Sequence, residues 1–166
     1  MTAIPQSKIT VDKETVESNL RKRLTNVLMR NGKKRLAERI IQGAFKRLAL
    51  KLVSQFPDKP LKGRIAENQL LEEILEIARP RIEVRRRRIG ANHHQIPVEL
   101  PLRRQTSLAL RWIIQSARSR SENTMEARLA GEFNDILLNE GITIRKRDEL
   151  HKVAEANRAF SRFRWN

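Results

Sequence analysis

The sequence contains no cysteine and no tyrosine, and aromatic residues make up only 4% of its 166 positions. The lack of cysteine excludes disulfide bonds and any zinc or iron–sulfur site that is held by cysteine. So few aromatic side chains argue against a single-strand binder that stacks bases on an aromatic platform. The sequence also has no apolar run near the roughly 18 residues that a membrane span needs.

Positive charge is what the sequence has in excess. Thirty-five Lys and Arg residues stand against 19 Asp and Glu residues, which gives a formal net charge of +16. Hydrophobic residues make up 39% of the chain, enough for one core, so we expect a folded domain with basic faces. The expected partner of such a chain is a polyanion, and nucleic acid is the leading candidate. An acidic substrate or an anionic membrane surface is the alternative.

Hydrophobic periodicity predicts about six helices. Apolar residues recur at helical spacing over residues 13–30, 34–54, 65–78, 106–118, 124–138 and 148–157. We expect Asp12 to cap the first helix, Gly32 to end it, Gly141 to end the fifth, and Asp148 to cap the sixth. The apolar stripe expected along the second helix consists of Leu36, Ile40, Ala44, Leu48 and Leu52.

Between the third and fourth helices the pattern changes to alternation. Ile82 and Val84 alternate with charged residues, and the alternation resumes at Ile96 after a Gly-Ala-Asn turn. Two alternating runs around such a turn predict a two-stranded β-ribbon over residues 81–101. Pro97 has no backbone N–H, so its strand cannot be central in a larger sheet.

The predicted fold class is therefore mainly α, with a bundle-like body of about six helices and one protruding two-stranded β-ribbon. Residues 1–12 are expected to form an N-terminal extension that is poorly structured alone. Residues 13–166 are expected to form a single RNA-binding domain, because basic residues are spread evenly along the chain and no repeat divides it.

The ribbon carries a dense cluster of arginines, with Glu83 as the only acid among them. Six lie within ten residues: Arg79, Arg81, Arg85, Arg86, Arg87 and Arg88. Neighbouring side chains on a strand point to opposite faces, so we expect both faces to be basic and neither to lie flat on an apolar core. Like charges this dense repel one another, so the ribbon is expected to contact phosphates. A solvated arm without a specific partner is the alternative.

A second basic segment, Asn31-Gly32-Lys33-Lys34-Arg35, joins the first two helices. Its lysines lie at a helix N-terminus, where outward backbone N–H groups also favour phosphate. The segment is not a P-loop, since Lys34 stands where Ser or Thr is required. An ordinary basic surface turn is the alternative.

The sequence shows no constellation typical of an enzyme. His93 and His94 are adjacent, so their side chains diverge on a strand, and we expect no metal site, no cofactor and no small-molecule substrate. Trp112 is expected to pack in the core with Arg111 directed outward. The aromatic residues that follow the sixth helix are expected to dock onto the body; they are Phe160, Phe163 and Trp165.

Seven segments follow one another in a characteristic order. They are Asn31-Gly32-Lys33-Lys34, Arg79-Pro80 with Arg87-Arg88-Ile89-Gly90, Gln95-Ile96-Pro97-Val98-Glu99, Leu108-Ala109-Leu110-Arg111-Trp112-Ile113, Met125 with Leu129-Ala130, Lys146-Arg147, and His151 with Ala154-Glu155-Ala156-Asn157-Arg158-Ala159-Phe160 and Arg164-Trp165. Together they resemble the family of bacterial-type small-subunit ribosomal protein seven, over about residues 15–165.

The resemblance implies a protein that binds the 3′ major domain of the small-subunit rRNA and nucleates assembly of the head. It also implies neighbouring small-subunit ribosomal proteins, and a ribbon near mRNA and the exit-site tRNA. With the basic residues beside them, the implied rRNA contacts are Lys33, Lys34, Arg35, Arg79, Arg81, Arg85, Arg86, Arg87, Arg88, Arg104, Arg111, Arg118, Lys146 and Arg147. The positions implied near mRNA or tRNA are Ile89, Gly90, Ala91, Asn92, His93, Arg164 and Trp165.

The chain departs from the family pattern at three places. One is its end, since the sequence stops one residue after Trp165, without the longer tail that some bacterial members have. Residues 1–20 carry a net charge of −1 where the family has a basic arm, and Ala91 stands where the ribbon tip commonly has a second glycine. With the high arginine content, these departures slightly favour an organellar ribosome, in the mitochondrial matrix or plastid stroma, over one in the bacterial cytoplasm. The N-terminus shows no targeting signal, so we expect the protein to work where it is made.

Two other functions compete with the ribosomal one. A DNA-bending architectural protein can place a basic ribbon in the minor groove, and Ile89 is the single candidate for an apolar wedge at its tip. A small enzyme acting on RNA would need a paired acid or metal constellation, which the sequence does not offer.

Overall fold

The computed structural model describes residues 20–55 and 63–163. Within them, α1 covers residues 20–28. The other elements are α2 (Lys34–Gln55), α3 (Gly63–Ala78), β1 (Ile82–Ile89), β2 (Asn92–Glu99), α4 (Leu102–Ser119), α5 (Met125–Leu137), α6 (Gly141–Ala156) and a 3₁₀ helix (Arg158–Phe163). The predicted mainly-α fold with one two-stranded β-ribbon is confirmed. The predicted extension over residues 1–12, the Asp12 cap, Arg164 and Trp165 lie outside the described residues.

The hydrophobic core lies between the helices and leaves the ribbon at its side. Side chains from α1 to α5 are fully buried there, among them Leu24, Ile41, Ile74, Ile113 and Phe133. The rings of Phe45 and Phe133 stack across α2 and α5 with their centroids 5.4 Å apart. Each large side chain buried in this way stabilises the body by about 1.5–3 kcal/mol.

The buried face of α2 differs from the predicted stripe at its start. Leu36 is 44% exposed, whereas Ala37 and Ile41 are buried beside the predicted Ala44 and Leu48. α2 packs along α5, and at the start of the helix its buried face runs through Ala37 and Ile41. The prediction for Leu36 is therefore wrong, and the rest of the stripe is confirmed or partly buried.

The prediction for the start of the last helix is also wrong. α6 begins at Gly141, so Gly141 opens this helix instead of ending α5, and Asp148 lies within it. The turn after α5 is made by Asn139, which takes the left-handed conformation at φ +59. Thr143 at the N-terminus of α6 donates its backbone N–H and its hydroxyl to Glu132 of α5. The first N–H groups of a helix have no partner within the helix, and Glu132 accepts one of them. This contact with α5 allows α6 to begin before the predicted start at Asp148.

The ribbon is a regular antiparallel hairpin that packs on the body at its root. Its register pairs Arg85 with Ile96 and Arg87 with His94, and a two-residue turn with Gly90 at φ +62 closes it. Ile96 is fully buried. The ribbon also has contacts along its faces, because α6 packs against β1 and the 3₁₀ helix packs against β2.

Candidate nucleic-acid interface

The turn between α1 and α2 presents three exposed cations. Asn31 and Gly32 both take left-handed conformations, at φ 52 and φ 70, which glycine adopts without strain and asparagine tolerates. The chain then enters α2, and Lys33, Lys34 and Arg35 all lie exposed at its start. The structure therefore brings the predicted basic turn together at a helix N-terminus, where the helix dipole also favours an anion.

The first groove lies on one side of this turn and has a volume of about 520 Å³. It is lined by Leu28, Met29, Arg30, Asn31, Lys33, Leu36, Ala37, Ile40, Arg118, Met125 and Arg128. Four of these residues are cations and none is acidic. Partial burial and the positive charge of Arg30 lower the pKa of Arg118, so a bound anion would relieve repulsion between these two guanidinium groups.

The second groove lies on the other side of the turn and has a volume of about 620 Å³. It is lined by Arg21, Lys22, Thr25, Lys34, Arg35, Glu38, Arg39, Gln42 and Asn68. Five of these residues are cations, against Glu38 as the only acid among them. Arg21 also pairs with Glu67 at 2.9 Å, which joins α1 to α3 beside the groove. The basic turn is therefore flanked by two basic grooves.

Several cations of these grooves were missed by sequence reasoning. They are Arg21, Lys22, Arg30, Arg39 and Arg128. Arg35 and Arg39 are four residues apart on α2, so helical spacing alone was a signal that they share one face. Arg128 belongs to α5, and its approach to the turn follows from tertiary packing that no local pattern shows.

The ribbon arginines divide into two sets, and the first is bound to the protein itself. The carboxylate of Glu83 accepts a hydrogen bond from Arg85 Nε at 2.6 Å and another from Arg104 Nε at 3.0 Å. Burial would raise the pKa of Glu83, but the hydrogen bonds from Arg85 and Arg104 outweigh it and the pKa lies below its ordinary value. Arg87 donates to the backbone carbonyl of Phe163 in the 3₁₀ helix.

The second set lies on the other face of the ribbon. Arg86 and Arg88 line a groove of about 540 Å³ together with His93 and Gln95 from the facing strand. All four residues are exposed. Arg88 also donates from Nε to the carbonyl of Gly90 at 3.1 Å, within the tip. The structure thus brings Arg86 and Arg88 onto one surface with His93.

The root of the ribbon is fixed by contacts with α6. The backbone N–H of Arg81 donates to His151 Nε2 at 3.2 Å. Arg147 donates to the carbonyl of Ile77 at the end of α3. The Nε of Arg79 is buried and has no hydrogen-bond partner within the described part of the chain. Arg147, which sequence reasoning placed among the RNA contacts, therefore holds α6 to α3.

The remaining predicted residues are spread over the body. Arg111 is exposed on α4 and Trp112 beside it is half-buried. Lys146 donates to Gln115 Oε1 at 3.2 Å. Phe160 packs on His94 of β2 with the ring centroids 4.6 Å apart, so the described part of this aromatic segment docks onto the ribbon and not, as expected, onto the helical body.

Neither metal ligands nor membrane-spanning helices stand out in the described part of the chain. Among residues 20–55 and 63–163, no three His, Asp or Glu side chains lie together in a way that can hold a metal ion. None of the helices in these two ranges is long and apolar enough to cross a membrane.

Comparison with known proteins gives a family match over nearly the whole sequence. The model of the family "Ribosomal protein S7p/S5e" matches residues 2–158. Small ribosomal subunit protein uS7 of Alkalilimnicola ehrlichii is 39% identical over 162 residues, which are 98% of this chain and 96% of that protein. Small ribosomal subunit protein uS7 of Hydrogenovibrio crunogenus is 41% identical over 162 residues, which are again 98% of this chain and 96% of that protein. That of Acidiphilium cryptum is 45% identical over 147 residues, 86% of this chain and 85% of that protein.

The matches also bear on the resemblance drawn from the seven segments. The relatives are bacterial, so the preference for an organellar ribosome gains no support from them. The resemblance itself is confirmed: the chain belongs to the ribosomal protein S7p/S5e family, a family of structural ribosomal proteins and not of enzymes.

Proposed function

We propose that the protein is a structural constituent of the small ribosomal subunit that binds the 3′ major domain of its rRNA and nucleates assembly of the head. The observation that carries this proposal is the basic turn at Lys33, Lys34 and Arg35 with a basic groove on each side. Nine different cations line these two grooves, against one acid. Such a surface is suited to several phosphate groups at once, as in a folded RNA.

The proposed mechanism is charge neutralisation at an RNA junction. Phosphates of different RNA helices repel one another, and cations placed between them displace counterions and hold the helices together. Arginine dominates the set, and its planar fork can bind a phosphate through two hydrogen bonds. Recognition is then of RNA shape more than of sequence, because A-form helices offer side chains little access to base edges in the major groove.

The finer parts of the proposal follow from the family resemblance. We propose that residues 13–166 act as one RNA-binding unit, with the ribbon near mRNA and the exit-site tRNA. Neighbouring ribosomal proteins of the small subunit are the expected protein partners. The site of action is the ribosome, and the bacterial relatives favour the bacterial cytoplasm.

The test is a filter-binding salt titration of the purified protein. The ligands are a transcript of the small-subunit 3′ major-domain rRNA, an unrelated structured RNA of equal length, and duplex DNA. We expect a preference of about a thousandfold for the rRNA at physiological salt, the scale of specific over non-specific binding. A Lys33→Gln/Lys34→Gln variant is expected to reduce the salt slope by up to about two units.

Two outcomes would contradict the proposed function. Equal affinity for all three ligands would leave only non-specific polyanion binding. A preference for duplex DNA, with bending of the duplex, would support the DNA-bending alternative.

A further inference from the structure

We propose that the ribbon meets RNA with one face only, through Arg86, Arg88, His93 and Gln95. Arg85 and Arg87, although they lie in the same arginine run, are engaged in contacts within the protein and do not bind RNA. The inference rests on the proposed function and deepens it, because it states which arginines of the cluster are RNA ligands.

The register of the hairpin defines the two faces. Residues that are paired across an antiparallel ribbon point to the same side. Arg87 is paired with His94, and Arg85 with Ile96, so these residues belong to one face. Arg86 and Arg88 point to the opposite face, where their partners are Gln95 and His93.

The face with Arg87 is covered by the 3₁₀ helix. The ring of Phe160 lies 4.6 Å from the His94 ring, and Ile96 is fully buried. Arg87 donates to the carbonyl of Phe163 and is itself half-buried. RNA cannot reach this part of the ribbon without displacing the 3₁₀ helix.

Arg85 is committed to a different internal contact. Its Nε lies 2.6 Å from Glu83 Oε1, and the other oxygen of Glu83 receives Arg104 of α4 at 3.0 Å. The carboxylate of Glu83 therefore joins the ribbon to α4 through Arg104 and holds Arg85 of its own strand. A phosphate at Arg85 would have to compete with Glu83 for the Nε–H of this side chain.

The opposite face leaves its donors available. Within the described residues, no hydrogen bond or ion pair engages the guanidinium group of Arg86. Arg88 donates a hydrogen bond from Nε to the carbonyl of Gly90, which holds the arginine side chain along the tip. The residue is exposed, so the other two guanidinium nitrogens remain available. Residues two apart on a strand are about 6.7 Å apart, so both arginines can reach neighbouring phosphates of one RNA strand. His93 and Gln95 beside them can hydrogen-bond to a ribose hydroxyl or a base edge.

A matched pair of double variants tests the proposal. Arg86→Gln/Arg88→Gln and Arg85→Gln/Arg87→Gln each remove two positive charges from the same strand, so their net charge is identical. The readouts are the salt slope of binding to the 3′ major-domain rRNA transcript and the midpoint of thermal unfolding. A second arm measures deacylated tRNA binding to small subunits reconstituted with each variant.

The first variant is expected to lose up to about two units of salt slope on rRNA, or to weaken tRNA binding, while its unfolding midpoint stays unchanged. The arm that responds identifies which RNA the face contacts. The second variant is expected to keep both RNA readouts and to unfold about 4 °C lower or more, because it loses internal hydrogen bonds.

An equal loss of salt slope in both variants would overturn the proposal, and so would no loss of RNA binding in the first. These results differ from failure of the proposed function, in which the unmodified protein itself shows no preference for the rRNA.

Discussion

At the scale of single residues, one buried carboxylate organises the junction of α5 and α6. Glu132 is completely buried, and its Oε1 accepts the backbone N–H and the hydroxyl of Thr143. Arg120 lies 3.5 Å from its other oxygen and also donates to Asp135 and Glu122. Burial would lower the pKa of Arg120, but the hydrogen bonds to Asp135 and Glu122 raise it overall. Each charge in this partly buried cluster therefore has an opposite charge beside it.

A hydrogen bond at the root of the ribbon depends on the protonation state of the His151 imidazole. Its Nε2 accepts the Arg81 N–H, which requires the neutral ring. Partial burial lowers the pKa of His151, and the positive charges of Arg147 and Arg81 lower it further, while Asp148 opposes them. The folded state therefore binds this proton more weakly than the unfolded chain does.

We expect this histidine to make the protein less stable in mild acid. Because the folded pKa of His151 lies below its ordinary value of about 6.5, its stabilising effect is complete above that pH and is lost as the pH falls through the folded pKa. Urea unfolding from about pH 7.5 to about pH 5 measures the effect. His151→Gln keeps an acceptor but cannot titrate, so it should lose less stability over this range. If the free energy of unfolding falls equally with pH in both proteins, His151 is excluded as the cause.

At the scale of elements, two glycines show how closely the helices approach. A Cβ added to Gly43 of α2 would lie 2.5 Å from the carboxyl carbon of Glu126. A Cβ added to Gly131 of α5 would lie 2.8 Å from the guanidinium group of Arg120. Glu126 has only a 3.6 Å contact with Arg47, whereas Arg120 is held by three carboxylates. The first neighbour can move and the second cannot.

The two alanine variants are therefore expected to differ in stability. Each replacement gains about 1 kcal/mol from helix propensity. Gly43→Ala should stabilise the protein by up to about 1 kcal/mol, because Glu126 can turn away at little cost. Gly131→Ala should destabilise the protein by about 1–3 kcal/mol, since it displaces Arg120 from its three carboxylate partners. Denaturant unfolding of both variants measures the difference, and equal stability would show that the Arg120 cluster can rearrange freely.

The elements also show how far sequence could predict this fold. The alternation around Ile82 and Ile96 was sufficient for the hairpin, because a period of two is a local property. The start of α6 was missed because its stabilising partner, Glu132, lies on another helix. The basic turn was found from five consecutive residues, whereas Arg128 reaches its groove only through the packing of α5.

The arginine run shows the same limit within the candidate site. Alternation correctly placed Arg85 and Arg87 opposite Arg86 and Arg88. It could not show that the 3₁₀ helix covers one face, since Phe160 and Phe163 are distant in sequence. Charge density identified the surface, and tertiary contacts decide which of its side chains are available.

At the scale of the whole molecule, net charge opposes folding of the isolated protein. A charge of +16 on one domain produces self-repulsion that grows as the chain becomes compact. The ion pairs that offset it, such as Arg21 with Glu67, use only part of the basic residues. The free protein is therefore more sensitive to ionic strength than a neutral domain of equal size.

Potassium chloride is expected to stabilise the free protein. Raising its concentration from about 0.02 M to about 0.3 M shortens the screening length and reduces repulsion between exposed cations. We expect the free energy of unfolding to rise by on the order of 1 kcal/mol. Glycerol at equal osmolality is the control, because it does not screen charge. A fall in stability with salt would mean that attractive ion pairs outweigh the repulsion.

The 3₁₀ helix that covers the ribbon has a consequence for synthesis of the protein. The ribosome makes the ribbon well before residues 158–163, so a nascent chain has both strands before it has the segment that packs on them. Until then Arg87 is open, like Arg86 and Arg88, to any RNA nearby. The single-faced ribbon is thus a late product of translation, and the nascent chain is less selective than the protein that is released.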